Sequence, residues 1–148
     1  MSQELKILLC NTVKVWKDLK VPYQHRGTTR NGCDCTGLII GVLKELGYLK
    51  NYKLRIYPPD WNLHSKADNY IVEEVSRFAN EVPKPEAGDL VLIYFGKCVA
   101  HVGIMIENEL FVHCYRKSKR CIASSLWNSK WAKRIHSFYR LNENKLRG

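Results

Sequence analysis

The segment Cys33-Asp34-Cys35-Thr36-Gly37-Leu38-Ile39 joins a polar, glycine-bearing stretch to an apolar run with helical spacing, so Cys35 falls at a loop-to-helix junction. Free backbone N–H groups and the positive end of the helix dipole favour negative charge there, which stabilises a thiolate. Asp34 has the side chain to cap that helix. A cysteine taken alone is more often a small buried hydrophobe, and two histidines change the reading. Val102, Ile104 and Ile106 alternate along one stretch, as do Leu110, Val112 and Cys114 along the next, so His101 with Gly103, and His113 with Phe111 and Tyr115, fall on the opposite face. With a turn centred near Asn108 the two imidazoles occupy diagonal cross-strand positions, about 7–8 Å apart at the backbone, a gap that long side chains close. A thiol at a helix start with two imidazoles on a strand face is what a nucleophile, its base and an orienting group require. His101 takes the proton of Cys35, and His113 hydrogen-bonds the far ring nitrogen of His101. Gly103 beside His101 keeps a side chain out of the site.

The elements that must position these groups are readable from the hydrophobic period. Leu5, Leu8, Leu9, Thr12, Val13 and Trp16 mark an amphipathic helix over residues 3–19, stopped by Pro22. Residues 23–33, with Gly27 and Gly32, read as a loop. Leu38, Ile39, Val42, Leu43 and Leu46 form the apolar face of a second helix, with Gly47 at its C′ position. Residues 51–64, with Pro58-Pro59 and Trp61, read as irregular, and Asp68 to Phe78 as a helix. Beyond Pro83, Pro85 and Gly88 the period changes to two. Leu90–Phe95, Val99–Ile106 and Leu110–Tyr115 are three expected strands, Cys121–Ala123 and His136–Leu141 two more, with a short Trp127–Ala132 element between them. Helices first and an antiparallel sheet afterwards is an α+β layout, and with no internal repeat or linker, residues 1–148 read as one domain.

The 148 residues are 45% hydrophobic and 26% charged, with eight Tyr, four Trp and four Phe, which excludes disordered, collagen-like and low-complexity classes. The net charge of +10 is unevenly placed: residues 1–115 carry a net of +1, whereas residues 116–148 carry ten Lys and Arg against Glu143 alone. That basic segment calls for an anionic partner, be it an envelope surface, a nucleic acid or an acidic assembly partner. No run approaches the roughly 18 apolar residues of a membrane span. Ile7-Leu8-Leu9-Cys10, followed by Asn11 and Thr12, is too short for a signal peptide. The expectation is synthesis in the cytoplasm without a Sec signal. The six cysteines then read as reduced thiols, with Cys98 and Cys114 as strand residues and Cys10 on the first helix face. Cys33 could shield Cys35 through a strained, reversible disulfide.

Four motifs in order give the chain a family likeness. Asp34-Cys35-Thr36-Gly37-Leu38, Gly88-Asp89-Leu90-Val91, His101-Val102-Gly103-Ile104, and His113 in Phe111-Val112-His113-Cys114 resemble the NlpC-type papain-like cysteine peptidases of bacterial cell walls, over roughly residues 5–140. Pro22-Tyr23-Gln24-His25-Arg26-Gly27 stands where that family has Pro-Tyr-x-x-Gly-Gly, with one glycine lost and the spacing changed. The resemblance implies a papain-like fold, with N-terminal helices and the nucleophile helix packed on a central antiparallel sheet. It also implies catalysis by Cys35, His101 and His113, with Tyr23, Asp34, Thr36 and Gly103 on the oxyanion and substrate side, and no metal or cofactor. The implied reaction is hydrolysis of peptidoglycan stem peptides, typically between the γ-carboxyl of D-glutamate and diaminopimelate, in the cell envelope. The insertion at about residues 50–80, with Tyr57-Pro58-Pro59-Asp60-Trp61, and the lean form are similar to the phage-tail branch, which implies phage-tail proteins as partners.

Three other readings compete. A zinc site could draw on Cys33, Cys35, His101, His113 and Cys114, but Cys-x-Cys is not the usual knuckle spacing and Cys114 faces away from His113. A non-catalytic module, binding the wall or a nucleic acid through the cations and aromatics of 115–134, is the second. Its counter-reading packs Trp127, Trp131 and Tyr139 under the sheet and leaves the cations solvated, which makes nucleic acid the less favoured partner. The third keeps the thiol chemistry and changes the substrate, as in an amidase, a transpeptidase or a deamidating toxin.

Overall fold

The computed structural model describes residues 1–53, 70–107 and 109–147. Tyr57-Pro58-Pro59-Asp60-Trp61 and the turn centre Asn108 lie outside them. Helix α1 spans Gln3–Asp18, with Ser2 accepting from the Leu5 N–H as its N-cap. It buries Leu5, Leu9, Cys10, Val13 and Trp16, whereas Leu8, expected on that face, is 46% exposed. A small hairpin of β1 (Thr28–Thr29) and β2 (Gly32–Cys33) leads into helix α2 (Cys35–Glu45). Helix α2 ends as its glycine foretold. Gly47 has φ +91°, its N–H donates to the Lys44 carbonyl, and the Tyr48 N–H donates to that of Leu43, which satisfies the last free carbonyls.

Helix α3 spans Tyr70–Ser76, and strand β3 (Ala79–Val82) follows it, a strand the sequence pattern does not show. Only Ala79 of β3 is buried, so no apolar alternation marks it. Strands β4 (Leu90–Phe95), β5 (Cys98–Met105), β6 (Leu110–His113), β7 (Ile122–Ser125) and β8 (Ile135–Leu141) complete a six-stranded antiparallel sheet in the order β3-β8-β4-β5-β6-β7. The short helices α4 (Ser129–Ala132) and α5 (Glu143–Leu146) flank β8. The basic segment is therefore not a tail, because β8 lies between β3 and β4 inside the sheet.

Both faces of the sheet are covered. On one, Leu90, Leu92, Val102, Ile104 and Val112 join the apolar faces of α1 and α2 in the larger core. On the other, Val91, Ile93, Met105 and Phe111 pack with Trp131 of α4. Trp131 and Tyr139 are buried as expected, but Trp127 is 73% exposed. Asp89 is fully buried, and its oxygens are satisfied there: Arg140 grips both of them at 2.9–3.0 Å and the Glu86 N–H donates to one at 2.8 Å.

Strand β5 pairs with β4 along its length, yet it pairs with β6 only at Ile104↔Val112 and Met105↔Phe111. Beyond those pairs the two strands part, and the chain around Cys33–Cys35 reaches this edge: the Cys114 thiol donates to the Cys33 carbonyl at 3.4 Å. The split is what lets a helix start meet the middle of a sheet.

Candidate active site

Asp34 caps α2, accepting from the Gly37 N–H at 2.8 Å through Oδ1 and from the Arg26 N–H at 2.9 Å through Oδ2. The carboxylate thereby ties the loop before the helix to its first turn. Gly37 is required there, since a Cβ would overlap the Gly27 carbonyl oxygen. Thr36 is buried and its hydroxyl donates to Asp34 Oδ1 at 3.3 Å. Both residues brace the helix start. The backbone N–H groups of Val102, Thr36 and Cys35 lie near enough to the Cys35 thiol to favour its charged form, which places the sulfur beside β5 next to His101.

The β5–β6 register puts Gly103 opposite His113, making His101 and His113 diagonal neighbours as the alternation predicts. His101 Nε2 lies 2.7 Å from His113 Nδ1, and His113 Nε2 lies 2.8 Å from Ser124 Oγ. A Cβ on Gly103 would stand 2.7 Å from Phe111 Cδ2 and 3.3 Å from His113 Cβ, so glycine lets the second imidazole close in. The pair is no solvated surface feature: His101 is 1% and His113 0% exposed. His101 stacks on Phe95 and His113 on Tyr115, with Trp131 against both rings.

Burial governs the charge states. It lowers His101 well below its ordinary 6.5, helped by the neighbouring His113, and lowers His113 to about 3, helped by Lys130. It raises the Cys35 thiol to about 12, with the Asp34 carboxylate adding to the effect, against the three N–H groups that pull the other way. Burial thus opposes the thiolate that the helix start favours, and opposes the charged form of both imidazoles. Tyr23 is half-buried, and burial, with the nearby Asp34 and Cys35, raises its phenol above the ordinary value, while the Arg116 guanidinium beside it pulls the other way.

The structure brings together Tyr23, Asp34, Cys35, Thr36, His101, Gly103 and His113. Ser124 and Arg116 join them without having been singled out from the sequence. Ser124 lies just past Ala123, where the expected strand stopped, and the alternation continued by one step would have turned it to the face of His113. Cys33 points away from Cys35, its sulfur 3.5 Å from that of Cys121, so the two do not form the shielding disulfide. The proposed zinc set is not assembled either: among the described residues the one clustered metal-donor group is Cys33, Cys114 and Cys121.

The profile of the NlpC/P60 family matches residues 20–140. The chain belongs to the NlpC/P60 family. Among curated proteins, the murein DD-endopeptidase MepS/murein LD-carboxypeptidase of Escherichia coli is 29% identical over 126 residues, covering 85% of this chain and 57% of that protein. The probable endopeptidase NlpC of Escherichia coli is 28% identical over 116 residues, covering 76% and 64%. The chain thus spans about three-fifths of the length of these relatives. Of solved structures, an NLP/P60 family protein of Staphylococcus aureus superposes with a TM-score of 0.64 at 19% identity over 95% of this chain and 42% of that one. The NlpC/p60 domain of the peptidoglycan hydrolase SagA gives 0.59 at 15% identity, over 93% and 98%. These likenesses fix the α+β papain-like fold of NlpC/P60 domains. His101, His113 and Ser124 sit on adjacent strands of this NlpC/P60 sheet, with Cys35 at the start of the helix packed on it.

Proposed function

We propose that this chain is a cysteine peptidase that hydrolyses peptidoglycan stem peptides. The observation that carries the reading is the hydrogen-bonded series His101, His113, Ser124 beside a thiol at a helix start, in a chain of the NlpC/P60 family. The contacts order the protons. With His101 Nε2 committed to His113, Nδ1 is the nitrogen left to accept from Cys35. His101 then carries its proton on Nε2 and donates it to His113 Nδ1, while His113 Nε2–H donates to Ser124 Oγ. Sulfur attacks the scissile carbonyl carbon as its proton passes to His101 Nδ1. The tetrahedral oxyanion is met by the Cys35 N–H and the Tyr23 hydroxyl. His101 returns the proton to the leaving amine, which departs and leaves a thioester. A water, deprotonated by His101, attacks the thioester, releasing a carboxylic acid and restoring the thiol. Asp34 and Thr36 hold the helix start in register, and Arg116 aims Tyr23.

The bond we assign is that between D-glutamate's γ-carboxyl and diaminopimelate. A DD-endopeptidase acting on cross-links is the second reading, favoured by the name of the 29% identical relative, a murein DD-endopeptidase. Similarity of the inserted segment to the phage-tail branch makes a tail module the proposed carrier, and detection of the chain in purified particles tests that. Digestion of purified sacculi under reducing conditions, with mass analysis of the products, separates the two bonds. A γ-D-glutamyl cut releases fragments beginning at diaminopimelate, whereas a DD cut converts cross-linked dimers to monomers.

A further inference from the structure

Three cysteines that the peptidase chemistry does not use converge from distant parts of the chain. Cys33 ends β2, Cys114 follows β6 and Cys121 precedes β7, and their sulfurs all lie within 4.8 Å of one another. The sulfurs of Cys33 and Cys121 are 3.5 Å apart, and Cys114 Sγ reaches the Cys33 carbonyl at 3.4 Å. All three are buried, at 0%, 0% and 2% exposure. One such cysteine is ordinary core packing. Three sulfurs facing a common point are a ligand set. An ion held about 2.3 Å from each of three sulfurs spaces them about 4 Å apart, a value inside the range found here. The donors are all sulfur, which selects soft ions. A closed zinc site needs a fourth ligand, and among the described residues no His, Asp, Glu or further Cys joins this group.

We propose that Cys33, Cys114 and Cys121 form a three-coordinate thiolate site for a soft monovalent ion of the copper(I) kind. Binding replaces thiol protons, which leave to solvent, and no electrons change hands. The site is separate from the catalytic group, yet Cys33 lies two residues before Cys35 and abuts its capping residue. An ion there fastens the loop that presents the nucleophile to the connection between β6 and β7.

The test is a titration of the reduced 148-residue chain with copper(I) held by a competing chelator, without oxygen. One copper per chain should transfer, the melting temperature should rise, and X-ray absorption should show three sulfur neighbours. Cys121→Ala should lose the copper and the thermal shift, while Cys98→Ala and Cys35→Ala keep both. Circular dichroism of each variant separates lost ligation from lost folding, and the wild-type absorption spectrum stands independently of the variants. No transfer from the chelator, copper retained by a folded Cys121→Ala, or a shell containing nitrogen, which would put the ion on Cys35 and the histidines, overturns the proposal. So does a Cys33–Cys121 disulfide that persists under the reducing conditions. None of these readouts depends on peptidase activity.

Discussion

Cys35 stands where two electrostatic effects oppose each other, and burial wins. The N–H groups of Cys35, Thr36 and Val102 favour a thiolate, but desolvation and the Asp34 carboxylate hold the thiol up at about 12. His101 is meanwhile driven well below 6.5, so a preformed thiolate–imidazolium pair is disfavoured and proton transfer accompanies attack. The sign of the pH dependence follows. The base must be neutral to work, and a lowered value keeps it neutral further into acid. The acid limb of kcat/KM should therefore fall well below pH 6.5, and a limb at 6.5–7 would contradict this. His101→Ala should lower kcat by about 10²–10⁴-fold. Iodoacetamide should still label Cys35 before the others, because Cys10, Cys33, Cys98, Cys114 and Cys121 are all buried, whereas Cys35 is only partly so. Accessibility sets that selectivity, in place of the acidity that its position at a helix start implies.

The β5–β6 hairpin is the element that makes the site, by parting beyond Gly103 and admitting the chain before α2. Its neighbour β4 is held by a pair that reads in the sequence only as a motif. Asp89 of Gly88-Asp89-Leu90-Val91 is clamped by Arg140 of β8, and removing the arginine would leave a buried charge uncompensated. Arg140→Met should cost about 3 kcal/mol of stability in urea denaturation; a cost below about 0.5 kcal/mol would show the clamp to be dispensable. Much of this architecture was legible beforehand. The face shared by His101 and His113 followed from alternation alone, and the start and end of α2 followed from Asp34 and Gly47. What escaped has physical reasons. Strand β3 has one buried residue of four, so its pairing with β8 leaves no mark in local hydrophobicity. The direction of Cys33 depends on Cys121, 88 residues away, and on Cys114, contacts that no local pattern encodes. The upward pull on the Cys35 thiol arises from tertiary burial, which a sequence position at a helix start cannot convey.

At the scale of the whole molecule, the excess charge of residues 116–148 is divided among several tasks. Arg140 pairs with Asp89, Arg116 lies beside the Tyr23 phenol, and Lys130 donates to the Tyr115 hydroxyl beside the imidazoles. Lys145 donates to Asn80 and the Ser76 carbonyl. Lys117, Lys119, Arg120, Lys133, Arg134 and Arg147 remain, all exposed to solvent. These six are the group from which attraction to an anionic wall would come. Changing Lys117, Arg120 and Lys133 together to Glu should weaken retention on sacculi at low salt, with the difference vanishing at high salt. Labelling of Cys35 should be unaltered; equal retention at every salt concentration would remove the wall-binding role from these residues. The central claim, that Cys35 cuts peptidoglycan stem peptides, is tested most directly by sacculus digestion with mass analysis of the soluble products under reducing conditions. Wild type should release peptide fragments that Cys35→Ala does not, and identical product profiles from the two would contradict it.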